Sequence, residues 1–150
     1  MLIVSNGAFK SGSTWLTLVV RQIGTFLEVP AEFKNESWKN NTIEPARMGD
    51  FLQTAGIASN DYLIKAHYKP DDEMRPLLLG KPDVKILNVY RDPKDVVVSA
   101  YYHFRRLGQY DCSIGEFFDQ RGESLVRALT RYHLYWDNRG VEDKIFFTTY

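Results

Sequence analysis

The sequence predicts an α/β domain: a three-layer parallel sheet with flanking helices. Three observations carry this. Short apolar runs, "LIVS", "DYLIKAH", "VKILNVY" and "KIFFTTY", alternate with segments of helical pattern through the 150 residues. Strands separated by crossover helices pair in parallel, with helices covering the faces. The first run leads into a small-residue turn, "GAFKSGST", and then directly into a helical pattern. With 44% hydrophobic and 14% aromatic residues, the chain has enough apolar surface for one compact core.

The elements follow in order. Residues 2–6 read as a buried strand, and 13–27 as a helix with apolar residues on most sides. Residues 28–46 are polar and irregular, a long loop. A short helix is expected at 46–54, a second strand at 61–67, and a short helix in "DDEMRPLLL", 71–79. "VKILNVY", 84–90, is the third strand. Residues 92–107 read as a helix that Asp92 caps, with Pro93 in the first turn and Asp95 three after the cap. In "SIGEFF", Ser113 and Glu116 have the spacing of a capping box. A long amphipathic helix covers 123–138, and 144–150 is a final strand. Nothing in the sequence obviously covers the apolar "IFFTTY", so association through that strand is expected unless flanking helices serve both its faces.

Bulk properties narrow the function. Lys+Arg and Asp+Glu are both 19, so the net charge is zero. No global field favours nucleic acid, and any anion site must be local. Cys112 is the one cysteine, which rules out an internal disulfide and fits a reducing compartment. No apolar run approaches the roughly 20 residues of a membrane helix. Met1 runs straight into the first strand, so a cytoplasmic location without a signal peptide is expected. The glycosylation patterns at Asn35 and Asn40 are then chance matches.

The chemistry sits at strand ends. Gly7, four residues, Gly12, then Ser13 and Thr14 nearly reproduce the phosphate loop G-x-x-x-x-G-K-[ST], but Ser13 stands where the lysine belongs. Lys10 lies inside the loop instead. The amides of residues 11–14 open a helix, where orphan N–H groups and the dipole attract an anion. The plainer alternative is a strand-to-helix turn with Ser13 as the cap. At the second strand's end, Lys65 and His67 are two apart and share a face. A histidine there has a reference pKa of about 6.5 and can act as a base, or can be structural. His133 is left to the structural role. At the third strand's end stands Arg91, suited to bidentate phosphate contact, and Asp95, Ser99 and His103 share a face of the next helix. The ends of parallel strands form one cleft, so these groups should converge. A metal-dependent triphosphatase or kinase would want a lysine after Gly12 and an acidic strand end.

"FKSGSTWL", "IKAH" and "YRDPKDVVVSAYYHF" together resemble the cytosolic-type sulfotransferase family, in order and across nearly the whole chain. The departures are Phe9 for a usual proline, Ser13 for threonine, and Ala100 inserted before "YYHF". The resemblance implies a sulfotransferase variant of the phosphate-loop nucleotide-hydrolase fold, in one domain over 1–150 that lacks the family's C-terminal portion. It implies 3'-phosphoadenosine 5'-phosphosulfate (PAPS) as co-substrate, no metal, and a small acceptor with a hydroxyl or amine. His67 would be the base, with Lys10 and Lys65 assisting. Lys10, Ser11, Gly12, Ser13 and Thr14 would hold the 5'-phosphosulfate, Trp15 the adenine, and Arg91 and Ser99 the 3'-phosphate. The alternatives are a non-catalytic nucleotide-binding module and a phosphate-loop kinase.

Overall fold

The computed structural model describes residues 1–34, 42–70 and 73–149. Asn35, Asn40, the first two residues of the helix expected at 71–79, and Tyr150 lie outside them.

Four strands, β1 (Leu2–Gly7), β2 (Tyr62–Ala66), β3 (Val84–Tyr90) and β4 (Ile145–Thr149), form one parallel sheet in the order β2-β1-β3-β4. The helices are α1 (Ser13–Ile23), α2 (Pro45–Thr54), α3 (Met74–Leu79), α4 (Pro93–Arg106), α5 (Ile114–Phe117) and α6 (Glu123–Tyr135). A 3-10 turn at Ala31–Phe33 and a π-helical stretch at Phe118–Gly122 complete the described elements. None of the described helices is long and apolar enough to cross a membrane.

The two faces of the sheet are covered unequally. Leu2, Val4, Ile64, Ala66, Val84, Ile86 and Ile145 point to the main core, where Met48, Phe51, Leu78, Leu129 and Trp136 meet them. On the other face Leu16 and Val20 of α1 pack on Leu63 and Val89. This alternation is the period of two along each strand. α4 and α5 close a satellite cluster around Tyr101 and Phe117, with the inserted Ala100 fully buried within an unbroken helix.

Several expected boundaries shift for local reasons. α1 ends at Ile23 rather than residue 27, because Gly24 leaves the helix in an extended conformation and Leu27 bridges to Tyr62 beside β2. The Asp92 cap is present, its side chain accepting from the Lys94 amide at 2.8 Å. The Ser113–Glu116 capping box forms with both of its bonds. α6 ends at Tyr135, three residues short of expectation. The final strand is served on one face only. Ile145 is buried and Phe147 packs on the core and on Tyr90, whereas Phe146 is 44% exposed on the other face.

β1 is central, and the chain steps to β2 on one side before crossing to β3 on the other. The order therefore reverses between β1 and β3. Ligands of open α/β sheets bind outside the carboxyl ends of the strands at such a switch point. The loop after Gly7 and the exit of β3 at Arg91 both lie there.

Candidate active site

The loop between β1 and α1 is built around two left-handed residues, Lys10 (φ 62°) and Gly12 (φ 106°). Gly12 is the helix N-cap and makes no side-chain cap, which corrects the alternative of Ser13 as the capping residue. Ser13 is instead the first helical residue. A Cβ on Gly7 would lie 2.7 Å from Ser11 Oγ and 2.8 Å from Val89, so only glycine lets the loop fold this closely. Lys10 pays a steric cost in the same turn, since a non-glycine residue at positive φ is uncommon and concentrates at functional sites.

Ser11 is fully buried, and both its amide (3.1 Å) and its hydroxyl (2.7 Å) donate to the Ala8 carbonyl. Ser11 thus spends both donors closing the loop. Beneath, Ser5 Oγ donates to Ser13 O at 3.2 Å, and Thr17 Oγ1 lies 2.8 Å from both. These bonds pin the first turn of α1 to β1. Leu16 N, bonded to Gly12 O, is the first intrahelical donor, and no acidic side chain occupies the first turn. The end of α1 is therefore open to an anion.

His67 follows β2 and is held from both sides. Its Nδ1 lies 2.6 Å from Gly7 O. A carbonyl only accepts, so Nδ1 carries the hydrogen and Nε2 holds the lone pair of the neutral ring. The next residue is anchored three times: Asn6 Oδ1 accepts from Tyr68 N, Trp136 Nε1 donates to Tyr68 O at 2.9 Å, and Tyr68 OH donates to Ile43 O at 2.8 Å. Burial lowers the His67 pKa, the Gly7 bond partly opposes this, and Lys65 adds to the lowering. The ring is thus neutral near pH 7 and oriented, as a base requires.

The strand ends do converge. A cleft of about 490 Å³ is bounded by Lys10, Gly12, Ser13, Thr14 and Trp15 of the loop and α1, Lys65 and His67 of the β2 end, Arg91 of the β3 end, and Ser99 and His103 of α4. Trp15 is 45% exposed at its edge. Arg91 Nη1 donates to Lys10 O at 3.3 Å, joining the two sides of the switch point. A further lobe continues past Ser99 to Asp95, Tyr102 and Arg106. Burial first, then Arg106 and Arg91, lower the Lys10 pKa; burial and Lys10 lower that of Lys65. Lys10 thus bears on Lys65 and is itself depressed by Arg106 and Arg91, and neither lysine forms an ion pair with a described carboxylate, so the cleft suits an anion. Of the residues expected here from sequence, all but Ser11 face the cleft.

Behind His67 lies a second, apolar cavity of about 240 Å³, bounded by Ala8, Phe9, Val96, Leu129 and Tyr132. His67 belongs to both spaces. Sequence reading missed this cavity and the part Arg106 plays; Arg106 lies seven residues after Ser99 on the same helical face, a spacing that could have found it. Phe9 stacks on Phe104 at 5.6 Å and meets His103 edge-on, so the residue in place of proline ties the loop to α4. His133 is not the structural hydrogen-bonder expected: its ring stacks on Tyr90 at 3.9 Å, and neither nitrogen has a partner among the described residues. Among the described residues no three metal-ligating side chains cluster.

A phosphate-loop-like α/β fold with a cationic cleft at its switch point defines a domain suited to holding an anion. The sequence matches the sulfotransferase domain family over residues 2–150, and the chain belongs to that family. No curated protein matches it in sequence. Among solved structures it is similar to mouse sulfotransferase SULT7A1 complexed with PAP, at 18% identity and a TM-score of 0.64, over 99% of this chain and 50% of that one. It is also similar to retinol dehydratase in complex with retinol and PAP, at 20% identity and a TM-score of 0.57, over 99% and 53%. An uncharacterized protein from Eubacterium ventriosum is similar at 12% identity and a TM-score of 0.50, over 99% and 89%. These likenesses are of fold. The chain spans about half the length of the first two.

Proposed function

We propose that this chain is a cytoplasmic sulfotransferase that moves the sulfuryl group of PAPS to the hydroxyl or amine of a small acceptor. The observation that carries the reading is the place of His67, between a cationic cleft and an apolar cavity. The donor's groups fit the cleft chemically: Lys10, Lys65, Arg91 and Arg106 surround it, and the uncapped start of α1 opens into it. PAP bound to two of the structural neighbours supports the same reading.

In this proposal the amides and hydroxyls at Gly12, Ser13 and Thr14 hold the 5'-phosphate, Arg91 and Ser99 hold the 3'-phosphate, and Trp15 lies against the adenine. The acceptor's apolar body fills the cavity beside Phe9 and Leu129, and its hydroxyl or amine meets His67. PAPS supplies an activated sulfuryl group whose leaving phosphate is already a stable anion. His67 Nε2 takes the acceptor proton as the acceptor attacks sulfur, and the bond to Gly7 O steadies the imidazolium that forms. Lys10 stabilises the charge that develops on the bridging oxygen, and Lys65 adds its field from the same side. Proton removal by a placed base is worth on the order of 10²–10⁴ in rate. A phosphate-loop kinase has less support, because Lys10 precedes Gly12 and the strand ends carry His67 and Arg91 in place of carboxylates.

Two measurements test the proposal together. Calorimetry with adenosine 3',5'-bisphosphate should give saturable binding, and labelled PAPS should pass its sulfuryl group to simple phenols or amines. Binding without transfer to any acceptor leaves the chain a nucleotide-binding module. No binding refutes the donor assignment.

A further inference from the structure

His103 stands inside the cleft and has no part in the mechanism above. It lies one turn beyond Ser99 on α4 and borders both the main cleft and its further lobe. Phe9 holds its ring edge-on at 5.6 Å, and Phe104 packs at 5.7 Å. Nδ1 is shut off from solvent and has no hydrogen-bond partner among the described residues. Buried polar atoms are nearly always paired, and an orphan in a native fold needs a reason. The titratable and charged groups that line the same cleft and lobe are Lys10 from the loop, Arg91 from the end of β3, Asp95 and Arg106 from α4, and Lys65 and His67 from the end of β2, with Lys10 and Arg106 acting on the ring directly. Four cations against one carboxylate leave an imidazolium unwelcome until an anion arrives. Burial first, then Lys10 and Arg106, keep the ring below its ordinary pKa. A bound phosphate reverses this, because it offsets the same cations and offers an oxygen to the Nε2–H of a protonated ring, the nitrogen not shut off from solvent.

We infer that His103 is a phosphate-binding residue of this cleft, acting as imidazolium, so that nucleotide binding takes up a proton. The inference rests on the nucleotide reading above and adds a residue and a pH sense to it. The sign follows from linkage. The ring binds its proton more tightly in the complex than in the free protein. Its contribution to affinity is therefore fully present below the free-protein pKa, and is lost as pH rises through the pKa of the complex.

The test is calorimetric titration with adenosine 3',5'-bisphosphate and with adenosine 5'-monophosphate, from about pH 5.5 to 8, on the parent, His103→Gln and His103→Phe. The phosphates themselves change charge near pH 6, so the readout is the ratio of parent to variant affinity at each pH. His103→Phe keeps a ring against Phe9 and removes the proton. Both variants should bind the bisphosphate about tenfold more weakly than the parent at pH 5.5 and nearly equally at pH 8. The same loss with the monophosphate assigns His103 to the 5'-phosphate; loss confined to the bisphosphate assigns it to the 3'-phosphate. A ratio of one throughout, or a loss that does not change with pH, overturns the inference while leaving the nucleotide site standing. A parent that binds neither nucleotide sinks both. Proton NMR of the parent decides independently of whether the variants fold: the His103 ring must titrate at higher pH when saturated with bisphosphate, and an unmoved midpoint refutes the role.

Discussion

At the scale of single residues, His67, the proposed base, shows how backbone contacts orient an imidazole. The Gly7 carbonyl sets the tautomer, and the Tyr68 anchors set the position. His67→Ala should therefore leave bisphosphate affinity within about twofold while sulfuryl transfer falls by on the order of 10²–10⁴. Stopped-time transfer assays beside calorimetry read the two quantities apart; near-normal turnover with intact binding would return His67 to a structural role. Lys10, Lys65, His67 and Arg91 were legible in the sequence because residue type and strand-end position are both local facts. The bonds of Ser11 to the Ala8 carbonyl were not, because they depend on a loop conformation in which Lys10 and Gly12 take positive φ. The orphaned nitrogen of His103 was not legible either, since it depends on Phe9 and Phe104 closing around the ring.

At the scale of elements, the alternation of apolar runs and helical patterns was enough to locate all four strands of the described residues, and β3 was placed to the residue. Its seven residues are bounded by a charge at each end, Asp83 before the start and Arg91 after the finish. Helix ends were less legible. α1 stops at Ile23, where Gly24 is a local stop signal that the apolar run to Leu27 overrode in the sequence reading, and the chain turns to lay Leu27 beside Tyr62. The π-helical stretch before α6 was hidden, and there a Cβ on Gly122 would meet the Phe118 ring at 2.8 Å. The β1–α1 junction is the element on which the site depends, and Gly7 is its tightest point. Gly7→Ala should cost about 1–3 kcal/mol of stability through overpacking against Ser11, Val89 and Ser13. It should also weaken bisphosphate binding, because relief against Ser11 and Ser13 shifts the loop that carries Lys10. Urea unfolding and calorimetry on the same sample would check both, and an alanine variant with parental midpoint and affinity would show that the junction has slack this geometry denies it.

At the scale of the whole molecule, the chain is neutral overall yet concentrates four cations around one cleft, and it holds each of its three histidines below the ordinary pKa of 6.5. Burial is the first cause in every case. A group with a lowered folded pKa binds more protons when unfolded, so stability rises with pH across its window. The contribution is intact above about pH 6.5 and is lost as pH falls below it, levelling off only beneath the folded values. The carboxylates with depressed pKa values, exposed Glu28 and Glu116 and half-buried Asp137, titrate lower, from ordinary values of 4.5, 4.5 and 3.8, so they leave this window to the histidines. The urea midpoint should accordingly drop between pH 7.5 and about 5.5. His133→Phe, which keeps a ring on Tyr90 and removes one protonation site, should drop less over the same interval. Saturating bisphosphate should flatten the slope again, because in the complex His103 welcomes its proton instead of resisting it. A midpoint that stays level from pH 7.5 to 5.5, or a His133→Phe slope equal to that of the parent, would mean that burial of these rings does not govern the acid response. In that case the cations around the cleft, rather than the histidines beside them, would have to carry it.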